Sequence, residues 1–382
     1  MLPFLESMVS ALLSLPLILA SFVFVLGIVV AVHEYGHLAV ARAFGIKAEV
    51  YALGFGKCLW SRTDKKGTEW RLCLIPLGGY VKFRGDKNAA SLASHEALAS
   101  MSDSERKASF FHASLLARAC TIAAGPLINI AFAVVVFSGI VLYQGQAVLL
   151  GRIDKVTEGT PAALAGMKSG DIITAIDRVP MPGAQEIVTT VEQNPSKTMV
   201  MTVSRGSESL DFTVTPVMKT RKTTGGLETS PIVGVSFITT AENIGHTRIG
   251  VLDAAQHGIS ITYKVAELTV ATLHKIVTGQ EGVENLSGPV RIAAISGDFA
   301  ESQGLFGLVQ LIGVISVSIG LMNLLPIPAL DGGHLLLFAY EAVAGRRPNK
   351  TVEQFSFGVG LACVLSLMVF TTFNDIAQLA FR

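Results

Sequence analysis

The stretch VVAVHEYGHLAVAR, Val29 to Arg42, places two histidines and a glutamate at the end of an apolar run. Ser7 to Val32, immediately before them, holds no Asp, Glu, Lys or Arg, and is long enough to cross about 30 Å of hydrocarbon at roughly 1.5 Å per residue. Ionisable side chains at that depth are costly and functional by default. One stretch therefore carries two readings: the chain enters a membrane here, and it carries chemistry in with it.

The rest of the chain agrees with a membrane setting. Half of the 382 residues are hydrophobic and 15% are charged, and the mean hydropathy of +0.53 is too high for an ordinary soluble protein. Ala119 to Gly151, Ser302 to Leu330 and Gln354 to Asn374 are also free of Asp, Glu, Lys and Arg, which gives four expected transmembrane helices. The first is not read as a signal peptide. Its first ten residues carry no Lys or Arg, its apolar run is too long, and no A-x-A-like site precedes the histidines. A net charge of +1 gives no reason to expect nucleic acid as a partner. Cys58, Cys73, Cys120 and Cys363 lie far apart with no CxxC pair, so they are expected to be reduced, packed residues.

Orientation follows from flanking charge. Arg42 to Arg118 holds thirteen Lys and Arg, and Arg346, Arg347 and Lys350 precede the last span, so both connections are expected to be cytoplasmic. Both termini and the region Arg152 to Glu301 then lie on the other side. Within that region GRIDKVTEGTPAALAGMKSGDIITAIDRVPM reads as strand, helix opened by Pro161, glycine stop and strand, and TMVMTVSRGSESLDFTVTP reads as a hairpin. The pattern TPAALAGMKSGDIITAID resembles PDZ domains of the bacterial protease type, which implies a peptide groove. KTRKTTGGLETS, Lys219 to Ser230, reads as a flexible linker, and Ile249 to Val277 as an amphipathic helix on the membrane surface. The expected division is residues 1–148 as a transmembrane catalytic part, 149–218 as a PDZ-like domain, 219–301 as linker and surface helix, and 302–382 as a second transmembrane catalytic part.

His33 and His37 stand four residues apart, on one face of a helix, close enough to hold one metal ion, with Glu34 beside them. Glu34 is placed to take a proton from an attacking water and return it to a leaving amine. This is the HExxH zinc signature. A catalytic zinc takes a third protein ligand. Ala43 stands where a histidine six residues on would be, and Glu49 and Glu69 are weak candidates in a polar loop. Asp331, in MNLLPIPALDGGH, is the better one, because it follows an uncharged run of twenty-nine residues as His33 follows one of twenty-six. Pro326 and Pro328 bar regular helix there, and Gly332 and Gly333 are expected to allow close approach to the metal.

HExxH at the end of the first span, NLLPIPALDGG on a later one and a PDZ-like domain between them resemble the site-2 protease family of intramembrane zinc metalloproteases, in the bacterial group typified by the regulator of sigma-E protease. The resemblance implies Zn2+ on His33, His37 and Asp331 with Glu34 as general base and acid. It implies that Asn323, before the Pro-x-Pro of Pro326 and Pro328, bonds the substrate backbone, and that Gly125, Pro126 and Asn129 of GPLIN pack the active-site helices. IPLGGYVKF, containing Gly78, Gly79, Tyr80 and Val81, resembles a membrane-associated β-hairpin that presents an edge to unwound substrate. The expected fold class is thus a polytopic α-helical membrane protein of four transmembrane helices, with an inserted α+β PDZ-like extracytoplasmic domain and this hairpin. The expected location is the bacterial inner membrane, with the active site near the cytoplasmic face and both termini periplasmic. The expected partners are the lipid bilayer, single-pass substrates such as an anti-sigma factor or a remnant signal peptide, and an upstream site-1 type protease. The family's best-studied members carry two tandem PDZ domains, whereas one clear copy is legible here. Two rivals stay open on the sequence: a non-catalytic scaffold with a peptide-binding PDZ domain and a structural metal, and a transporter using the His and Asp as an ion path.

Overall fold

The first apolar run does not stop at the histidines. In the computed structural model, which describes residues 2–86, 101–223, 226–240, 243–282 and 288–380, helix α1 (Leu2–Ala43) continues through His33 and His37. It ends where Gly45 adopts φ 75°, with Ile46 N–H donating to the Ala41 carbonyl at 2.9 Å and Gly45 N–H to Arg42 at 3.2 Å. This left-handed stop satisfies the last helical carbonyls and buries Ile46.

The chain then forms an antiparallel hairpin, β1 (Ala48–Thr63) and β2 (Glu69–Phe83). Asp64 closes its turn, accepting the amides of Lys66 and Thr68, the Trp70 indole and the Arg42 guanidinium. Burial pushes the Asp64 carboxyl up, but these donors hold it well below the usual carboxylate range. Glu49 and Glu69 therefore lie in strands, not in a polar loop: Glu49 faces Lys82 at 3.4 Å and Arg84 at 3.5 Å, and Glu69 faces Arg71 at 2.6 Å. Cys58 is exposed rather than packed, and its strand register sets it opposite Cys73.

A short helix α2 (Asp103–Lys107) leads to α3 (Leu115–Gln144). α3 stops before the expected Gly151, because Gly145 turns the chain at φ 83° into β3 (Gln146–Leu149). After the β-rich region come α6 (Val251–Val277), α7 (Pro289–Leu324), α8 (Asp331–Ala344) and α9 (Lys350–Ala380). Among the described residues four helices are long and apolar enough to cross a membrane: Ser14–Ala43, Leu115–Gln144, Pro289–Leu324 and Gln354–Gln378. α7 starts earlier than its uncharged run and is broken at Gly304 (φ 61°). Its N-terminus is capped from α9, where buried Asp375 accepts the amides of Gly288 at 3.2 Å and Arg291 at 2.8 Å.

Residues 1–139 and 255–382 make one compact unit, and 140–254 a second. In the first, Val25 and Val29 of α1 pack on Leu308, Leu311 and Ile312 of α7. A second cluster joins Leu38 and Ile46 to Val81 and Phe83 of the hairpin and to Phe110 and Phe111, with Leu335 and Phe338 of α8 against it. Arg118 of α3 and Glu341 of α8 form a two-pronged ion pair at 3.0 and 2.7 Å, which fixes α8 beside α3.

The second unit contains β4 (Ile153–Val156), α4 (Pro161–Ala165), β5 (Ile172–Ile176), β6 (Val179–Pro180), α5 (Ala184–Gln193), β7 (Met199–Arg205) and β8 (Glu208–Val214). The four strands order as β6-β5-β7-β8, over a core that includes Ile153, Ile173, Ile187, Met201 and Val233. The expected hairpin is β7 with β8. Lys219 to Ser230 is not a linker: β9 (Val217–Thr223) pairs with β10 (Gly226–Ile232), and Thr220 and Thr229 join hydroxyls across it at 2.8 Å. β11 (Val235–Phe237) then pairs with β4, and β12 (Ile244–Thr247) with β3, so the unit runs well past residue 218. A groove of about 160 Å³ lies between α5, through Ile187 and Val191, and Ile232 to Val235.

Candidate metal centre

α1 supplies the two histidines one turn apart. Their ring centroids are 4.8 Å apart, and the two Nε2 atoms face each other at 3.2 Å. Glycines make the space. A methyl on Gly125 of α3 would overlap His37 Nε2 and Cε1 and stand 2.9 Å from Cδ2. A methyl on Gly36 would sit 2.6 Å from the Ala124 carbonyl oxygen, and one on Gly320 of α7 2.9 Å from that of Pro126. The three helices approach so closely only because these side chains are absent.

Each imidazole is held from its far side. His37 Nδ1–H donates to the Thr121 carbonyl at 2.9 Å, which leaves Nε2 of the neutral ring as a lone pair. His33 Nδ1 stands 3.3 Å from the Asn129 amide, whose own Oδ1 is buried without a partner. The two ends of that amide have the same shape. With the oxygen turned to the ring it accepts Nδ1–H, and both Nε2 lone pairs then point into one space.

Asp331 enters that space from the start of α8. Pro326 and Pro328 end α7 at Leu324, and the chain reverses over Leu325 to Leu330, with Ala329 held at φ 77°. A methyl on Gly333 would lie 2.5 Å from the Ile327 carbonyl oxygen and 2.8 Å from Pro328 Cα, and one on Gly332 2.5 Å from Leu324 C. The two glycines thus seat α8 on the reversal. The nearest chain they face is their own.

Asp331 Oδ2 lies 3.1 Å from His33 Nε2 and 3.5 Å from His37 Nε2, buried and with no hydrogen-bond donor. Three lone-pair atoms crowded without a proton between them repel one another unless a cation draws them in. Tetrahedral zinc with bonds of about 2.0–2.1 Å to such ligands sets them about 3.3 Å apart, and the three separations here bracket that value. His33, His37 and Asp331 therefore fit zinc, with a fourth position left open. They are also the group that could hold a metal among the described residues.

The site opens into a cavity of about 350 Å³ that Glu34 also lines. Gly79 lets β2 lie on Glu34, a methyl there coming 3.0 Å from Glu34 Cγ. Among the described residues β1 and β2 form a two-stranded sheet, so the outer edge of β2 carries unpaired peptide groups along this cavity. Gly78, Gly79, Tyr80, Val81 and Asn323 all line the cavity. Pro326 and Pro328 do not; Pro328 lines an adjoining cavity of about 80 Å³ and packs on Gly360. Thr121, His334, Phe357 and Leu361 were not anticipated. His334 follows Asp331 by one helical turn and Phe357 and Leu361 share a face of α9, spacings visible in the sequence that nothing tied to the metal.

The model of "Peptidase family M50" matches residues 21–367 of the chain. A relative from Agrobacterium fabrum, named as a candidate zinc metalloprotease, is 38% identical over 359 residues, covering 94% of this chain and 95% of its own length. Metalloprotease MmpA of Caulobacter vibrioides is 34% identical, covering 94% and 95%. The regulator of sigma-E protease RseP of Salmonella typhimurium is 29% identical, covering 94% and 98%. Among solved structures, the PDZ domain of an SdrC-like protein from Listeria monocytogenes aligns with 25% of this chain and 90% of its own at 20% identity, with a TM-score of 0.20.

Proposed function

The chain belongs to peptidase family M50 and is an intramembrane zinc metalloprotease, and on that premise we propose that His33, His37 and Asp331 hold the zinc and that Glu34 is its general base and acid. The observation that carries this reading is the convergence of three potential ligand atoms at 3.1, 3.2 and 3.5 Å beside one carboxylate on the same cavity.

Zinc bound there supplies a Lewis acid that polarises the scissile carbonyl and lowers the pKa of water toward 7. Glu34 takes the proton of the attacking water and returns it to the departing amine. Thr121 and Asn129 hold the imidazoles in the tautomer that ligates. A transmembrane helix satisfies its own peptide groups and resists attack, so it must unwind first. The free edge of β2 from Gly78 to Val81 offers peptide groups to the unwound segment as an added strand, and Asn323 bonds its backbone on the other side. Gly125 and Pro126 keep α3 close to the ligand-bearing helices.

The substrates are single-pass membrane proteins such as an anti-sigma factor or remnant signal peptides, first trimmed by a site-1 type protease. The enzyme sits in the bacterial inner membrane with its active site near the cytoplasmic face, and the thirteen Lys and Arg of Arg42 to Arg118 support that orientation. Both termini and the β-rich unit are then periplasmic, and the α5 groove screens substrate ectodomains.

The test uses wild type and Glu34→Gln reconstituted with a single-pass substrate of short ectodomain, with product masses and bound zinc measured. A cut within the apolar span by wild type alone, with equal zinc in both proteins, is the expected result. Cleavage by Glu34→Gln at a comparable rate would remove Glu34 from its role.

A further inference from the structure

The hairpin holds a second reactive pair. Its register places Cys58 of β1 opposite Cys73 of β2, although fourteen residues separate them in the chain. Opposed residues of an antiparallel pair project from the same face with Cβ atoms about 4.5–5.5 Å apart. A disulfide needs about 3.5–4.5 Å between the same atoms, so a small strand adjustment closes the gap. Both thiols are free. Their surroundings differ. Cys58 is exposed and its thiol also donates to the Trp60 carbonyl at 3.2 Å. Cys73 is buried, beside an apolar cavity between α1 and the hairpin, and burial pushes its thiol up.

We propose that Cys58 and Cys73 are a hydroperoxide-reactive dithiol site that closes to a disulfide across the hairpin. The exposed partner reacts first. Cys58 thiolate attacks the nearer peroxide oxygen, the O–O bond breaks, and the departing hydroxide takes a proton to become water, leaving a sulfenic acid. Cys73 then gives up its proton and attacks the Cys58 sulfur. The S–S bond forms, the S–O bond breaks, and a second water leaves. Two thiols lose two electrons and one peroxide becomes two waters.

The bond has a mechanical effect. The ladder slips register on both sides of the Cys58 and Cys73 pair, toward Phe55 with Ile75 and toward Trp60 with Leu72, so this pair sits within an irregularity of the hairpin. A disulfide there fixes the slip just before the Gly78 to Val81 edge. The thiol chemistry does not depend on the roles proposed for the metal centre.

The test treats the full-length protein in detergent with graded hydrogen peroxide and maps its peptides by mass spectrometry without reductant. The expected result is one crosslinked pair holding Cys58 and Cys73, lighter by two hydrogens, reversed by dithiothreitol and absent from Cys58→Ser and Cys73→Ser. In Cys73→Ser, Cys58 is trapped as a sulfenic acid that reacts with dimedone. Hydrogen exchange over residues 55–75 slows several-fold in the oxidised protein. Separate sulfinic acids on Cys58 and Cys73 with no crosslink would overturn the proposal. So would a pair that stays reduced while Cys120 and Cys363 are consumed.

Discussion

Replacing Gly125 by alanine tests whether the helix contact at His37 governs metal binding. The added methyl overlaps Nε2 and Cε1 of the ring and lies 2.9 Å from Cδ2, where ordinary contacts begin at 3.4 Å. Relief at Cδ2 alone needs 0.5 Å, and the nearer atoms need more, so the ring must retreat by about 1 Å or α3 must move away from α1. Retreat of the ring draws Nε2 off its 3.5 Å approach to Asp331, and either movement stretches the 2.9 Å bond from Nδ1 to Thr121. A displacement of that size at a catalytic group costs about 100-fold in rate, and disturbing the support of a metal ligand costs about 10- to 100-fold in affinity. The assay is zinc retained against a competing chelator, together with the initial rate of substrate cleavage in reconstituted membranes. Gly139→Ala on the same helix is the control, since a methyl there meets nothing within 4 Å. It should keep zinc and rate, with helix propensity improved by about 1 kcal/mol. A Gly125→Ala protein that is folded and within twofold of wild type in both measurements would refute the reasoning.

Asn129→Ala should weaken zinc binding by about 10- to 100-fold while leaving the fold intact, read by chelator competition, because His33 then loses the partner of its Nδ1. Arg118→Ala should destabilise the protein by about 1.5–3 kcal/mol, read as a lowered unfolding midpoint, because it removes two charged hydrogen bonds and leaves Glu341 with Arg347 alone at 3.4 Å. In the β-rich unit, two hydrogen bonds from the Arg205 guanidinium hold the buried Asp171 carboxyl below the usual range. A depressed folded-state pKa contributes stability that is full above the unfolded value of about 3.9 and is lost as pH falls below it. Peptide-resolved thermal unfolding of residues 140–254 between pH 7 and 3 should show that acid loss, and Arg205→Leu should flatten it.

The membrane architecture was legible because it rests on long uncharged runs, and membrane crossing demands them. The pairing of His33 and His37 with Asp331 was legible for a related reason, since the lengths of two such runs placed them at similar depth. Elements without an apolar period were missed. Lys219 to Ser230 alternates threonine with charge and carries Gly-Gly, so it has the composition of a linker, yet its backbone pairs as β9 and β10. β11 is three residues long, and only its pairing with β4 shows that it completes a groove. Glu49 reads as a loop acid because its partners Lys82 and Arg84 become neighbours only through strand register, and Glu69 because its pairing with Arg71 requires the alternation of a strand. Gly332 and Gly333 mark a close approach in the sequence, but only the fold shows that Leu324 to Pro328 of the same chain press on them.

The proposed ligand set draws His33 and His37 from the first span and Asp331 from beyond the third, roughly 300 residues later. At about 5–20 residues per second a ribosome needs some 15–60 s to traverse that interval. During that time the emerging chain exposes a two-histidine helix that lacks its carboxylate and the α7 wall of its cavity. The nascent protein is therefore proteolytically silent while its first spans are already in the bilayer among other newly inserted helices. On that proposal it acquires the power to cut only once Asp331 has emerged, so the delay protects neighbouring chains from an enzyme still under construction.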